Sequence, residues 1–271
     1  MNPPVALTVA GSDSGGGAGI QADLKTFAAH RVYGTSVITA VTAQNSRGVA
    51  GVFALPATVV DAQLTAVLGD LCPAVVKVGM LGTVAIAGAV AARARAGELP
   101  RLVLDPVLTS SSGHSLGVRA AAERLLPYAA VVTPNLAEAS ALVGWPVRTP
   151  DDMAGAAAQI GARGPGCVVV TGGDVSGDEA VDAVWTEAGV RFLRGRRIDT
   201  RNTHGTGCTF SAAIAARLAR GEPLPKALRG AKAYVSRSLA GAVSWRLGDG
   251  AHGPLDHLGF RPLARPVGEA R

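Results

Sequence analysis

Short, continuously apolar runs alternate with longer Ala- and Leu-rich stretches along most of the chain. The runs Val5–Ala10, Ser36–Thr42, Val75–Val78, Leu102–Leu104, Ala130–Thr133 and Cys167–Thr171 predict strands. They are apolar at successive positions rather than at alternate ones, as in strands covered on both faces. The stretches Ala18–Ala29, Thr58–Leu71, Thr83–Ala94, Val118–Leu126, Leu136–Val143 and Asp151–Ala162 predict helices. Strand–helix repetition at this spacing gives an α/β fold with a mostly parallel central sheet, helices on both faces and right-handed crossovers. Near Ala180 the pattern changes. Val181–Trp185 and Val190–Leu193 flank Glu187, Ala188 and Gly189, which reads as a β-hairpin. Asn202–Gly207 then leads into a helix from Cys208 to about Arg220, and another is expected over Leu224–Trp245. Residues 248–271 read as a closing loop with a loose end. With no internal repeat and no linker-like composition, the expectation is a single domain over residues 1–271.

Composition narrows the class. Hydrophobic residues are 48% and charged residues 17% of 271, enough for a sizeable core and against disorder. Aromatics are only 4% and Gly counts 35, which suits helices packed closely on a sheet. The formal charge of +6 is spread along the chain, without aromatic–basic interleaving, and points to an anionic small molecule rather than nucleic acid. Cys72, Cys167 and Cys208 lie far apart, which argues against a disulfide framework or a zinc knuckle. No apolar run approaches the roughly 18 residues that span a bilayer. The start, MNPPVALTVAGSDSGG, lacks a signal-peptide pattern, so a cytoplasmic location is expected.

The chemistry-bearing residues collect after the predicted strands, where open α/β sheets bind ligands. Gly11–Gly19 follows the first strand; Gln44, Asn45 and Ser46 follow the second. Lys77–Met80, Asp105–Val107, Thr133–Asn135 with Glu138, and Thr171–Asp174 follow the others. Each alone reads as ordinary turn chemistry; six on one rim do not. The first loop is neither G-x-G-x-x-G, since Ile20 stands in the last place, nor a P-loop. That argues against a nicotinamide-dependent oxidoreductase. Asn202–Thr209 (NTHGTGCT) opens a helix, where free amides and about half a positive charge suit a phosphate. The same field should favour a thiolate at Cys208. The plainer reading makes Gly205 and Gly207 a tight turn and Cys208 a core residue.

Six segments taken in order are more specific: GSDSGGGAGIQAD (Gly11–Asp23), TAQNSRG (Thr42–Gly48), KVGML (Lys77–Leu81), Asp105–Val107, TPNLAE (Thr133–Glu138) and NTHGTGC (Asn202–Cys208). Together they resemble the hydroxymethylpyrimidine/phosphomethylpyrimidine kinases of thiamine biosynthesis, within the ribokinase-like superfamily. The resemblance implies a three-layer ribokinase-like sandwich and an aminopyrimidine pocket formed by Gly11, Asp23, Gln44, Met80 and Val107. It implies that Asn135 and Glu138 organise magnesium and the phosphates of ATP, with Asp105, Thr171 and Lys232 nearby. It makes Gly205, Thr206 and Gly207 the anion hole and Cys208 the residue facing the substrate hydroxyl. Two departures stand out. Thr171 and Asp174 replace the family's Lys and His, and Ser14 replaces a frequent Pro, which should loosen the first loop.

The implied activity is ATP- and magnesium-dependent phosphorylation of 4-amino-5-hydroxymethyl-2-methylpyrimidine to its monophosphate and then its diphosphate. A pyridoxal or pyridoxine kinase is the nearest alternative, and a non-catalytic ligand-binding protein a more distant one. A thiol hydrolase using Cys208 and His204 lacks an orienting third group. The resemblance further implies a homodimer, and the charge pattern and short apolar runs lead to the expectation of no nucleic-acid or membrane partner.

Overall fold

The computed structural model describes residues 2–108, 119–173, 175 and 177–260. Asp174 and residues 261–271 of the expected tail lie outside the described residues, as does Val118 at the start of one predicted helix. The strands are β1 (Val5–Asp13), β2 (Tyr33–Asn45), β3 (Gly48–Ala54), β4 (Val75–Val78), β5 (Val103–Leu104), β6 (Val131–Val132), β7 (Val168–Val170), β8 (Glu179–Thr186) and β9 (Gly189–Arg196). The helices are α1 (Gly19–Ala29), α2 (Ala57–Asp70), α3 (Val84–Arg95), α4 (Arg119–Glu123), α5 (Leu136–Val143), α6 (Pro150–Gly161), α7 (Thr206–Ala219) and α8 (Leu224–Gly241). The predicted helix over Val118–Leu126 is shorter, ending in a 3₁₀ turn at Leu126–Tyr128.

All strands join one sheet in the order β3-β2-β1-β4-β5-β6-β7-β8-β9. β2, β1, β4, β5, β6 and β7 run parallel, while β3 and the β8–β9 hairpin add antiparallel edges. β3 is absent from the sequence expectation. Its glycines, Gly48 and Gly51, weaken the strand signal, and the pairing with β2 decides its state.

The pleat divides each central strand between two cores. Leu7, Val76, Leu104, Val132 and Val170 face α2, α3, α5 and α6. Ala6, Val75, Val103, Val131 and Val169 face α1, α7 and α8. On α7, Ala212, Ala213, Ala215 and Ala216 are fully buried, so this helix lies close to the sheet, as the ring-poor composition led us to expect. The α7 side is not wholly apolar. Thr8 on β1 and Lys77 on β4 are register partners there, fully buried under α1. Among the described residues no helix is long and apolar enough to cross a membrane.

Candidate active site

Residues just beyond the carboxyl ends of the parallel strands, the start of α7 and the β8–β9 hairpin enclose a cavity of about 540 Å³. Its place is the one expected for an open parallel sheet. It brings together every site residue expected from the sequence except one. Gly11, Gln44, Met80 and Val107 line it, as do Asp105, Asn135, Glu138, Thr171, Lys232, Gly205, Thr206, Gly207 and Cys208. Asp23 does not. It lies fully buried on α1, accepting from Thr8 Oγ1 at 2.6 Å and from Lys77 Nζ at 3.0 Å. Neither a solvated helix position nor a pocket wall describes it; it is the counter-ion of Lys77.

Lys77, placed on the rim by the sequence without a role, is the main residue left unassigned. Its side chain has no exposed surface, yet it lines the cavity floor, its ammonium 3.0 Å from Asp23 Oδ2 and 3.4 Å from Asp105 Oδ2. Burial opposes its charge, but Asp23 and Asp105 outweigh that and hold its pKa above the ordinary lysine value. A lysine in an apolar strand run was the available signal, since only pairing makes such burial tolerable.

The first loop folds around Asp13. Its carboxylate accepts the amides of Gly15, Gly17 and Ala18 at 2.8, 3.1 and 2.9 Å, and His204 Nε2 at 2.9 Å. Although burial works the other way, the bonds from His204 and Ala18 prevail and lower its pKa. Ser14 does not leave the loop loose. Its hydroxyl donates to the Gln44 carbonyl at 2.7 Å and accepts the Gln44 amide at 2.8 Å.

At the other side, Gly205 caps α7 with φ of 85°. A side chain there would overlap the Gly17 carbonyl, so the two glycine-rich turns are in contact. In the first turn of α7, Thr206 N–H donates to Thr203 and Thr209 N–H to Gly205. The Gly207 and Cys208 amides have no acceptor among the described residues and remain for an anion. Cys208 departs from expectation. Burial pushes its thiol pKa up, and Asp105 and Asp23 add to this, against the opposing pull of Lys77. These surroundings work against the thiolate that the helix field would favour.

Asn135 and Glu138 form a capping box on α5: the Glu138 amide donates to Asn135 Oδ1 and the Asn135 amide to Glu138 Oε2, both at 2.9 Å. The N-x-x-E spacing therefore has a structural use as well as the implied one. Burial and the neighbouring Asp105 push the Glu138 carboxyl up to about 8. Two crowded carboxyls at a cavity wall fit a cation held mostly by water and phosphate oxygens. No cluster of three or more His, Cys, Asp or Glu forms a protein cage among the described residues.

Opposite, Lys232 pairs with Asp182 at 2.7 Å, so its charge is already partnered. Thr171 lines the cavity, its N–H on the Pro134 carbonyl at 2.9 Å. Arg197 donates to the carbonyls of Gly173, Val175 and Gly177 and so ties these three residues to the end of β9. Arg196 lines the cavity as a further cation.

The sequence model of the phosphomethylpyrimidine kinase family matches residues 13–256. The chain belongs to this family. The hydroxymethylpyrimidine/phosphomethylpyrimidine kinase of Rhizobium meliloti (strain 1021) is 48% identical over 260 residues, covering 94% of this chain and 97% of that protein. Among solved structures, the ADP complex of Bacillus subtilis pyridoxal kinase superposes with a TM-score of 0.86 at 38% identity, covering 94% of this chain and 98% of the other. The phosphomethylpyrimidine kinase of Clostridium difficile 630 gives a TM-score of 0.76 at 38% identity, covering 87% and 99%. Membership sets aside the oxidoreductase and thiol hydrolase alternatives.

Proposed function

We propose that this chain, acting as one domain, is an ATP-dependent kinase that phosphorylates 4-amino-5-hydroxymethyl-2-methylpyrimidine to its monophosphate and then to its diphosphate. The observation that carries the reading is a single cavity. It joins an amide and a thioether suited to a flat polar ring, Gln44 and Met80, with the open amides of Gly207 and Cys208. The ring lies over the first loop against Gln44 and Met80, and its hydroxymethyl arm points to the start of α7. The transferring phosphoryl group sits on Gly205–Cys208, where fixed amides meet developing charge. Cys208 faces the hydroxyl and steers its proton. Bound magnesium would be held by Asn135 and Glu138, largely through water, and would offset charge on the phosphates. Lys232 and Thr171 lie toward the nucleotide.

The similarity to pyridoxal kinase structures keeps one second reading in play, in which pyridoxal is the alcohol. A coupled assay with the aminopyrimidine alcohol, its monophosphate and pyridoxal in parallel decides. Turnover of the first two with a lower kcat/KM for pyridoxal supports the proposal; preference for pyridoxal replaces it.

The enzyme is expected to act in the cytoplasm as a homodimer. Val41 and its cross-strand partner Phe53 are exposed on the β2–β3 edge, which suits a covered face. Sedimentation equilibrium tests the dimer.

A further inference from the structure

The amide of Gln44 has two unlike ends: its oxygen accepts and its nitrogen donates. Which end faces which neighbour is settled by where the neighbouring protons are. His204 Nε2 is 2.9 Å from Asp13 Oδ2 and 3.3 Å from Gln44 Nε2. Thr42 Oγ1 is 3.1 Å from Gln44 Oε1 and 3.0 Å from the Ser12 carbonyl. Asp13 is an ionised acceptor that already takes three backbone amides, so the hydrogen it shares with His204 resides on Nε2. An N–H there cannot also accept from an NH2 group. At the other end, the one hydroxyl hydrogen of Thr42 faces two acceptors, the Gln44 oxygen and the Ser12 carbonyl. Turning the amide end for end replaces the donor–donor contact at His204 by one Nε2–H that points to Asp13 and is shared with the Gln44 oxygen, and it leaves Thr42 a single acceptor. The Gln44 oxygen then takes the weaker, 3.3 Å share of the His204 Nε2–H, its nitrogen donates to Thr42, and Thr42 donates to Ser12. Each donor meets an acceptor, and mispaired polar groups in a half-buried network cost more than paired ones return.

We infer that His204, held by Asp13, is a positioning residue that fixes the Gln44 amide with its oxygen outward, so that the cavity selects a ring carrying a hydrogen-bond donor at that edge. The second lone pair of that oxygen is left for an exocyclic amine. The ring of His204 seats on Gly17, where a side chain would collide with it, and its backbone N–H donates to the Gly253 carbonyl at 3.0 Å. The imidazole is therefore fixed from the loop side and the backbone side. The choice of an aminopyrimidine as probe rests on the proposed function; the hydrogen-bond order does not.

The test compares kcat/KM for the aminopyrimidine alcohol and for its analogue with hydrogen in place of the amino group, using the full chain with magnesium and ATP. The wild type is expected to prefer the amino compound. His204→Leu is expected to lower that preference by about tenfold, the scale of one hydrogen bond. His204→Gln, which can offer an N–H to the same oxygens, is expected to restore most of it. Thr42→Val removes the acceptor at the far end and is expected to lower the preference independently, which covers a failure of His204→Leu to fold. If these variants lose activity on both alcohols in equal proportion, His204 only supports the loop and the inference is overturned. If the wild type turns over neither alcohol, the functional reading fails first and the inference falls with it.

Discussion

At the scale of single residues, charge burial beneath the cavity makes the sharpest demands. Lys77 faces Asp23 and Asp105 with side chains almost wholly shielded from bulk solvent. Removing one partner of such a cluster leaves the others unpaired and typically costs about 3–5 kcal/mol, whereas replacing a pair by apolar groups costs far less. Lys77→Met is therefore expected to lower the urea midpoint by a corresponding amount, and Lys77→Met with Asp23→Leu to recover much of it. Equal midpoints for the single variant and the wild type would show that the cluster contributes no stability. Cys208 illustrates the same setting from the other side. A thiol whose pKa is pushed up by its surroundings and nearby carboxylates is mostly protonated and so seldom free to act as a base, and a loose phosphoryl-transfer transition state asks little of a base. Cys208→Ala is expected to slow the first phosphorylation by less than about 100-fold, the low end of general-base effects. The second step, whose acceptor is already ionised, should slow less still. Single-turnover rates for both steps check this, and equal losses reject the proton-handling role.

At the scale of elements, helix starts carry the site, and they were legible to different degrees. α5 was predicted with its observed bounds because Leu136–Val143 is bracketed by an Asn cap and by Gly144. The double duty of Asn135 and Glu138 was less visible, since a capping box and a phosphate-side pair have the same spacing. Their uses separate by experiment. Asn135→Ala is expected to cost about 1 kcal/mol in stability with or without magnesium, as lost caps do. Glu138→Gln keeps a side-chain acceptor for the Asn135 amide but loses the carboxylate, so it should raise the magnesium concentration for half-maximal rate several-fold at a smaller stability cost. Identical magnesium curves for Glu138→Gln and wild type would remove Glu138 from the metal site. β3 escaped sequence reading because Gly48 and Gly51 interrupt its pattern, and only pairing with β2 makes it a strand. The pairing of Asp23 with Lys77 escaped for a related reason: one-dimensional patterns show residue types near a strand end, not which of them turn toward one another.

At the scale of the whole molecule, the described end of the chain returns to the site. Gly253 accepts from His204 and donates to Arg201, Gly250 donates to Ser46, and His204 forms a parallel bridge with Pro254. Three residues on, His257 Nε2 lies 2.9 Å from Thr209 Oγ1, and that hydroxyl donates to the Gly205 carbonyl at 2.8 Å. The imidazole thus supports α7 from below the anion turn, and Tyr234 O–H fixes the His257 carbonyl at 2.7 Å. Burial lowers the His257 pKa to about 4, with Lys25 acting in the same direction. Its ordinary value is about 6.5, so between these limits the unfolded chain binds a proton that the folded chain refuses. A lowered folded-state value means that this contribution is complete above about pH 6.5 and declines as the pH falls toward 4. The full difference is on the order of 3 kcal/mol. Acid should therefore loosen the C-terminal return before the apolar cores give way. His257→Gln, which keeps a donor toward Thr209 without a titrating group, is expected to flatten the stability profile between pH 6.5 and 4 relative to wild type. Denaturant titrations across that window measure it, and parallel profiles for the two proteins would assign the acid sensitivity to other groups.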